Sequence, residues 1–325
     1  MEIEKMKPLV IYHDNCTDGF GAAWAAYKKF GADGAEYLPM NYNDPRVSVT
    51  RDELIFPVDV TGRDIYILDF SFPQQVMCAL NDACMAAGTT MFVRDHHKTH
   101  FEQLGLDPTK LHGDNGYNYD LILDPDKSGC VLAWELFHPW AAAPYILHLI
   151  QDRDLWQWKL PQTRNFATGL RSQPFSFDLF EYAETEWPTI CGRGEAMNEL
   201  FDKQLSDITK CPVPAMLQDG AAFFYGLSTN CTPQFSSEAG NTLAKKSETF
   251  GMTWCVGENG QVFVSLRSIG DYDVSAIAKA YGGGGHRNAA GFKTSWDKIR
   301  FGETAMAIQP PKNSGKTQDQ KKKTA

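Results

Sequence analysis

Histidine and aspartate recur in this chain where an apolar run has just ended: His13 follows LVIY, Asp69 follows IYIL, and Asp95, His96 and His97 follow MFVR. Asp18 and Asp152 add carboxylates in the neighbouring helix-like segments. Imidazole and carboxylate donors without clustered thiolates suit Mn²⁺, Mg²⁺ or Fe²⁺ better than a structural zinc. Taken singly, an aspartate after a strand caps a turn or helix by accepting from free N–H groups. Brought to one place, so many carboxylates would repel one another unless cations lay between them. A second candidate is YGGGGHRNAAGF, residues 281–292. Glycine lets backbone N–H groups approach an anion closely and take positive φ, so Gly283, Gly284 and Gly285 could cradle a phosphate, with His286 and Arg287 as added donors. Arg267 in the preceding SLRS is the best single candidate for a further phosphate or a terminal nucleotide.

Something must carry these side chains to one edge. The β-branched run at 8–12 leads through HDNCTDG into the alanine-rich helix pattern of 21–31, and the alternation repeats. IYILDF (65–70) precedes a helix pattern over 73–88, TTMFVRDHH occupies 89–97, and LILDPDKSG (121–129) precedes helix patterns at 130–137 and 144–156. Strands alternating with helices predict a parallel sheet, which gathers its chemistry at the carboxyl ends of its strands. Residues 160–210 read as helical or irregular, rich in acidic and aromatic residues and without evident chemistry. Prolines in KCPVPAML (210–217), followed by the strand-like AAFFYGL, MTWCVG and QVFVSLRS, mark a boundary into a second α/β domain. The lysine-rich 306–325 cannot bury apolar surface and reads as a disordered tail.

The 325 residues leave room for two domains, and 43% hydrophobic with 22% charged residues is an ordinary globular composition. A formal net charge of −9 argues against a sequence-blind grip on long duplex DNA, which needs a basic stripe. The 8 cysteines contain no Cys-x-x-Cys pair, so free thiols in a reducing compartment are expected. No signal-type segment and no run of about 20 apolar residues is present, so a cytoplasmic protein without a membrane partner is expected.

Together these stretches resemble the DHH phosphoesterases, which include RecJ-type exonucleases, nanoRNases and cyclic-dinucleotide phosphodiesterases. YHDNCTDGFGAAW resembles the family's first motif, LDF with Asp69 the second, RDHH with the downstream DPDKSG the third, and QDRDLW with Asp152 the fourth. YGGGGHRNAAGF, preceded by SLRS, resembles the glycine-rich signature of the DHH-associated C-terminal domain. The resemblance implies a parallel-sheet α/β N-terminal domain with flanking helices (1–205), a linker (206–215) and a smaller α/β substrate-binding domain (216–305), with the active site in the cleft between them. It further implies that His13, Asp18, Asp69, His96 and Asp152 are metal ligands, with Asp69 bridging two Mn²⁺ ions, Mg²⁺ or Fe²⁺ being alternatives. Catalysis would rest on Asp69, on His97 facing the substrate phosphate, and on Asp95 orienting the histidines. Arg267, Ser268, Gly283, Gly284, Gly285, His286 and Arg287 would bind substrate. Short RNA, or a linear or cyclic dinucleotide, would be hydrolysed by a metal-activated hydroxide, and a homodimer is allowed. One position departs from the pattern: Cys16 stands where the family's Asp-x-Asp carries its first aspartate. That ion position could use Cys16, use Asp14 or Asn15, or be empty, and an empty one would suit a non-hydrolytic nucleotide sensor instead.

Overall fold

The computed structural model describes residues 6–302 other than 43, 51–52, 114–118 and 258–259. The tail and the last residues of the second expected domain lie outside that range. The chain divides into two compact units, Met1–Lys203 and Gln204–Ala325.

In the first unit the strands are β1 (Leu9–His13), β2 (Glu36–Met40), β3 (Ser48–Val49), β4 (Leu54–Ile55), β5 (Ile65–Leu68), β6 (Met91–Asp95), β7 (His112–Gly113) and β8 (Asp120–Leu123). The helices are α1 (Thr17–Gly34), α2 (Gln74–Ala87), α3 (Lys98–Gln103), α4 (Gly129–Phe137), α5 (Tyr145–Asp154), α6 (Thr163–Arg171) and α7 (Phe177–Thr209). Six strands form one sheet in the order β2-β1-β5-β6-β8-β7, parallel except for the short edge strand β7. β3 and β4 make a separate hairpin.

The run LVIY is apolar throughout because both faces of the sheet are covered. Val10 and Tyr12 pack with Trp24, Val131 and Ile146 from α1, α4 and α5, whereas Leu9 and Ile11 pack with Val76 and Leu80 of α2 on the other side. Register then sets the site. Tyr12 pairs with Leu68 and Leu68 with Arg94, so the next residues on three adjacent strands, His13, Asp69 and Asp95, come level at one edge.

The second unit holds β9 (Val213–Asp219), β10 (Ala222–Asn230), α8 (Ser236–Ser247), β11 (Phe250–Val256), β12 (Val262–Ser268), α9 (Val274–Ala280), β13 (Gly284–His286), β14 (Ala289–Thr294) and β15 (Ile299–Phe301). Its sheet has the order β13-β14-β12-β11-β10-β9-β15, and only β10 and β11 run parallel. Phe250, Met252, Val264 and Leu266 form its core with Val274, Ile277 and Ala278 of α9. Most of the expected linker has regular structure: α7 continues to Thr209 and β9 begins at Val213. The prolines mark the short break between them, where Pro212 cannot extend the helix.

Among the described residues all 8 cysteines are free thiols, and no helix is long and apolar enough to cross a membrane.

Candidate metal centre

Asp69 is the middle of the cluster. It follows β5 with φ of 63°, a left-handed conformation that a carboxylate-bearing residue adopts at a cost of about 1–3 kcal/mol. The turn is held by the Asp69 N–H donating to Arg94 O at 2.8 Å, and it points the carboxylate inward, where the residue is 1% exposed. A Cβ on Gly129, at the start of α4, would lie 2.4 Å from Asp69 Cβ, so only glycine lets the helix begin this close to the Asp69 carboxylate.

Around it, His96 Nε2 lies 3.2 Å from Asp69 Oδ1, 3.7 Å from Asp18 Oδ2 and 3.5 Å from Asp154 Oδ2. His13 Nδ1 lies 3.4 Å from Asp69 Oδ2. Asp18 reaches across from the first turn of α1 and accepts from Gly129 N at 2.6 Å and Cys130 N at 3.0 Å, using the free N–H groups at the start of α4. Among the described residues three groups emerge whose ligand atoms lie within 4.8 Å of one another: His13, Cys16 and Asp69; Asp69, His96 and His97; and Asp18, His96 and Asp154.

Asp95 is turned away from this cluster and works on the histidines. Its Oδ1 accepts from the backbone N–H groups of His96 at 2.7 Å and His97 at 3.1 Å and bonds His97 Nδ1 at 2.8 Å. Its Oδ2 accepts from Ser71 Oγ at 2.6 Å and lies 3.2 Å from His100 Nδ1. That bond fixes the orientation of the His97 ring. Ser71 and His100 give no signal in the sequence beyond their nearness to the motifs.

The electrostatics are those of a cation site. Burial pushes the Asp18 carboxyl well above its ordinary value, and the nearby Asp69 and Asp154 push it further. Burial opposes the charged form of His96, but Asp69, Asp154 and Asp18 outweigh it and raise the ring to about 10. Asp69 is held below the usual carboxylate range despite its burial, because the imidazoles of His13 and His96 lie against it. His13 Nδ1 and Asp69 Oδ2 are buried and have no hydrogen-bond partner. Unsatisfied donor atoms of this type, among carboxylates that crowd one another, fit divalent cations.

His13, Asp18, Asp69 and His96 therefore come together as expected, with His97 and Cys16 beside them. Asp152 does not. Its Oδ1 accepts from Lys159 N at 2.8 Å, and its Oδ2 from Leu160 N at 3.1 Å and Thr163 Oγ1 at 2.5 Å, tying the end of α5 to the start of α6. Asp154 takes the place in the cluster. Two residues along a helix turn a side chain by about 200°, so the two aspartates of QDRD point to opposite sides. Both lie in the last turn of α5, so nothing in the sequence distinguishes them.

A cavity of about 350 Å³ lies beside the cluster, lined by His13, Cys16, Asp18 and Asp154 on one hand and by Arg153 and Arg171 on the other. The Arg153 guanidinium stacks 4.4 Å from the Trp156 ring centroid and 5.0 Å from that of Trp158, which gives the tryptophans of DLWQW a positioning task.

In the second unit the glycine-rich stretch is partly a strand. Gly284–His286 pairs with β14, and a Cβ at Gly283 or Gly285 would lie 2.1 Å from Gly291 O or 2.5 Å from Ala289 O, so these two glycines admit a neighbouring strand. Arg267 donates to Ser265 Oγ and Leu266 O, each at 2.9 Å, and to Ser237 Oγ at 2.8 Å. Arg287 is half-exposed and donates to Asp271 O at 3.0 Å. Ser268 is buried, and its hydroxyl is committed: it donates to Tyr272 O at 2.6 Å and accepts from Asn288 Nδ2 at 2.9 Å. It closes the end of β12 onto the segment that follows.

A DHHA1 domain model matches residues 220–302. The chain is 32% identical over 301 residues to uncharacterized protein R106 of Acanthamoeba polyphaga mimivirus, covering 88% of this chain and 67% of that one. It is 24% identical over 301 residues to oligoribonuclease NrnB of Bacillus subtilis (strain 168), covering 86% and 71%. Among solved structures, RecJ in complex with Mn²⁺ from Thermus thermophilus aligns with a TM-score of 0.47 at 14% identity, over 89% of this chain and 50% of that one. With its ordered motifs, its parallel-sheet first unit and its DHHA1 match, the chain belongs to the DHH phosphoesterase superfamily, a family of metal-dependent phosphoesterases.

Proposed function

We propose that this protein is a metal-dependent phosphodiesterase that hydrolyses the phosphodiester bonds of short oligoribonucleotides or of linear or cyclic dinucleotides. One observation carries the reading: Asp18, His96 and Asp154 gather around Asp69, while Asp69 Oδ2 and His13 Nδ1 are buried without a hydrogen-bond partner. His13 and Asp69, with Cys16 beside them, would hold one divalent ion, and Asp18, His96 and Asp154, next to Asp69, would hold a second. Mn²⁺ is the ion proposed, with Mg²⁺ and Fe²⁺ as alternatives. When bound, such ions lower the pKa of a water and offset the charge that develops on phosphoryl oxygens.

The remaining work falls to the chain itself. Asp95 fixes His97 through Nδ1, so that Nε2 can donate to a non-bridging phosphate oxygen. Arg153 and Arg171 complement the substrate's negative charge from the cavity wall. In the second unit Arg267, His286 and Arg287, with the backbone of Gly283, Gly284 and Gly285, hold the distal phosphate or terminal nucleotide. A net charge of −9 favours a short substrate over long nucleic acid, and the relative named an oligoribonuclease supports the same class. The protein is proposed to act in the cytoplasm.

The test incubates the full chain with Mn²⁺ and a panel of labelled dinucleotides, cyclic dinucleotides and short RNAs, with a chelator control. Chelator-sensitive turnover of these substrates is expected. Tight nucleotide binding without turnover under any divalent ion would replace this reading with that of a sensor.

A further inference from the structure

The sequence leaves open how the first ion position is completed, because Cys16 stands where an aspartate is expected. The structure narrows the choice. Asp14 is spent locally: its Oδ1 accepts from Asn15 N at 2.8 Å and its Oδ2 from Asn15 Nδ2 at 3.1 Å. Asp14 is in no ligand group among the described residues, whereas Cys16 shares one with His13 and Asp69. Asn15 has φ of 53°, and this left-handed residue turns the chain between β1 and α1 so that Cys16 arrives at the N-cap of α1. Burial and the nearby Asp69, Asp154 and Asp18 oppose a bare thiolate, so the sulfur ligates only as an ion takes the place of its proton.

A cysteine near carboxylates could simply be packing. A second observation argues otherwise. Asp69 is 1% exposed, and its Oδ2 and His13 Nδ1 face each other at 3.4 Å, both buried and neither making a hydrogen bond. Two unsatisfied ligand atoms thus belong to the group that includes the thiol, and a buried polar atom left in that state is costly unless a ligand meets it.

We infer that the two ion positions are chemically unequal: Cys16 supplies a sulfur ligand beside His13 and Asp69, so that this position selects a thiophilic divalent ion such as Fe²⁺, Co²⁺ or Zn²⁺, while the position of Asp18, His96 and Asp154 takes a hard ion such as Mn²⁺ or Mg²⁺. The inference rests on the metal-centre reading above and deepens it. The reason is donor chemistry. A nitrogen, sulfur and oxygen set favours softer ions, and thiolate ligands discriminate strongly against Mg²⁺ and Mn²⁺, whereas carboxylates with one imidazole do not. Cys16 loses its thiol proton to solvent as the ion binds.

The test titrates the metal-depleted full chain anaerobically with Co²⁺ and follows near-ultraviolet absorption, where a sulfur-to-cobalt charge-transfer band reports a direct bond. The band is expected to saturate at about one equivalent in the wild type. It should vanish in Cys16→Ser and Cys16→Asp, and Cys16→Asp should shift Mn²⁺-against-Co²⁺ competition toward Mn²⁺ by about tenfold or more. As a check that needs no variant, Zn²⁺ should protect Cys16 of the wild type from alkylation, read by peptide mass spectrometry, and Mg²⁺ should not. Two cobalt ions bound without the band, or equal protection by both metals, would overturn the inference while leaving the metal centre standing. No cobalt bound at all would overturn both.

Discussion

The two aspartates of QDRD give a paired test in which one side chain is structural and the other chemical. Asp152→Ala removes the acceptor for Leu160 N and for Thr163 Oγ1, and Thr163 is fully buried; the third donor, Lys159 N, can turn to water. Two stranded donors cost roughly 1–3 kcal/mol each, about 4 kcal/mol together. For a unit the size of Met1–Lys203 this is a fall in Tm of about 8–16 °C. Asp154→Ala removes a carboxylate whose near partner is His96 at 3.5 Å, among other carboxylates that it repels. The metal-free Tm should hold or rise. Activity should drop by more than the ~10–100-fold typical of losing a residue that only supports a ligand. The assays are differential scanning calorimetry of the metal-free variants and Mn²⁺-dependent hydrolysis of bis-p-nitrophenyl phosphate. If Asp152→Ala melts like the wild type but loses its metal, and Asp154→Ala stays active, the assignment of the two roles is refuted.

Asp69→Ala should abolish Mn²⁺-dependent turnover of both the small ester and a dinucleotide; near wild-type activity would remove the bridging role. Gly129→Ala drives a methyl group to 2.4 Å from Asp69 Cβ and should cut metal affinity at least tenfold, measured by calorimetric titration, because the carboxylate or the helix start must move. Arg267→Ala should raise KM for a dinucleotide by about 10-fold or more, the loss of a charge-assisted bond, with the small ester turned over as before; equal loss on both would argue against substrate binding. Ser268→Ala, by contrast, should appear chiefly in the melting of the second unit, since its hydroxyl is committed to Tyr272 O and Asn288.

Much of the first unit was legible because β1, β5, β6 and β8 are buried on both faces and so read as short apolar runs ending in polar residues. β2 was not, since EYLPM carries a proline and is only half-buried at an edge. The two-residue strands β3, β4 and β7 are too short to leave a pattern. At the site, residues that immediately follow a strand were found by position alone: strand register brings His13, Asp69 and Asp95 level. On α5 it is Asp154 and not the expected Asp152 that lies in the cluster, because sequence order does not tell which side of the helix faces the sheet edge. The glycine-rich stretch read as a loop in which every glycine faces an anion, yet Gly283 and Gly285 are demanded by the closeness of β14. Sequence shows that a position must be glycine more readily than what the missing side chain makes room for.

The central claim is that this cluster holds divalent ions as a pair, and counting them tests it most directly. Metal-depleted protein reconstituted with Mn²⁺ and Co²⁺ together, desalted and analysed by elemental mass spectrometry, should carry a pair of ions on each wild-type chain and fewer in Asp69→Ala. A wild-type chain that retains one ion or none contradicts the account.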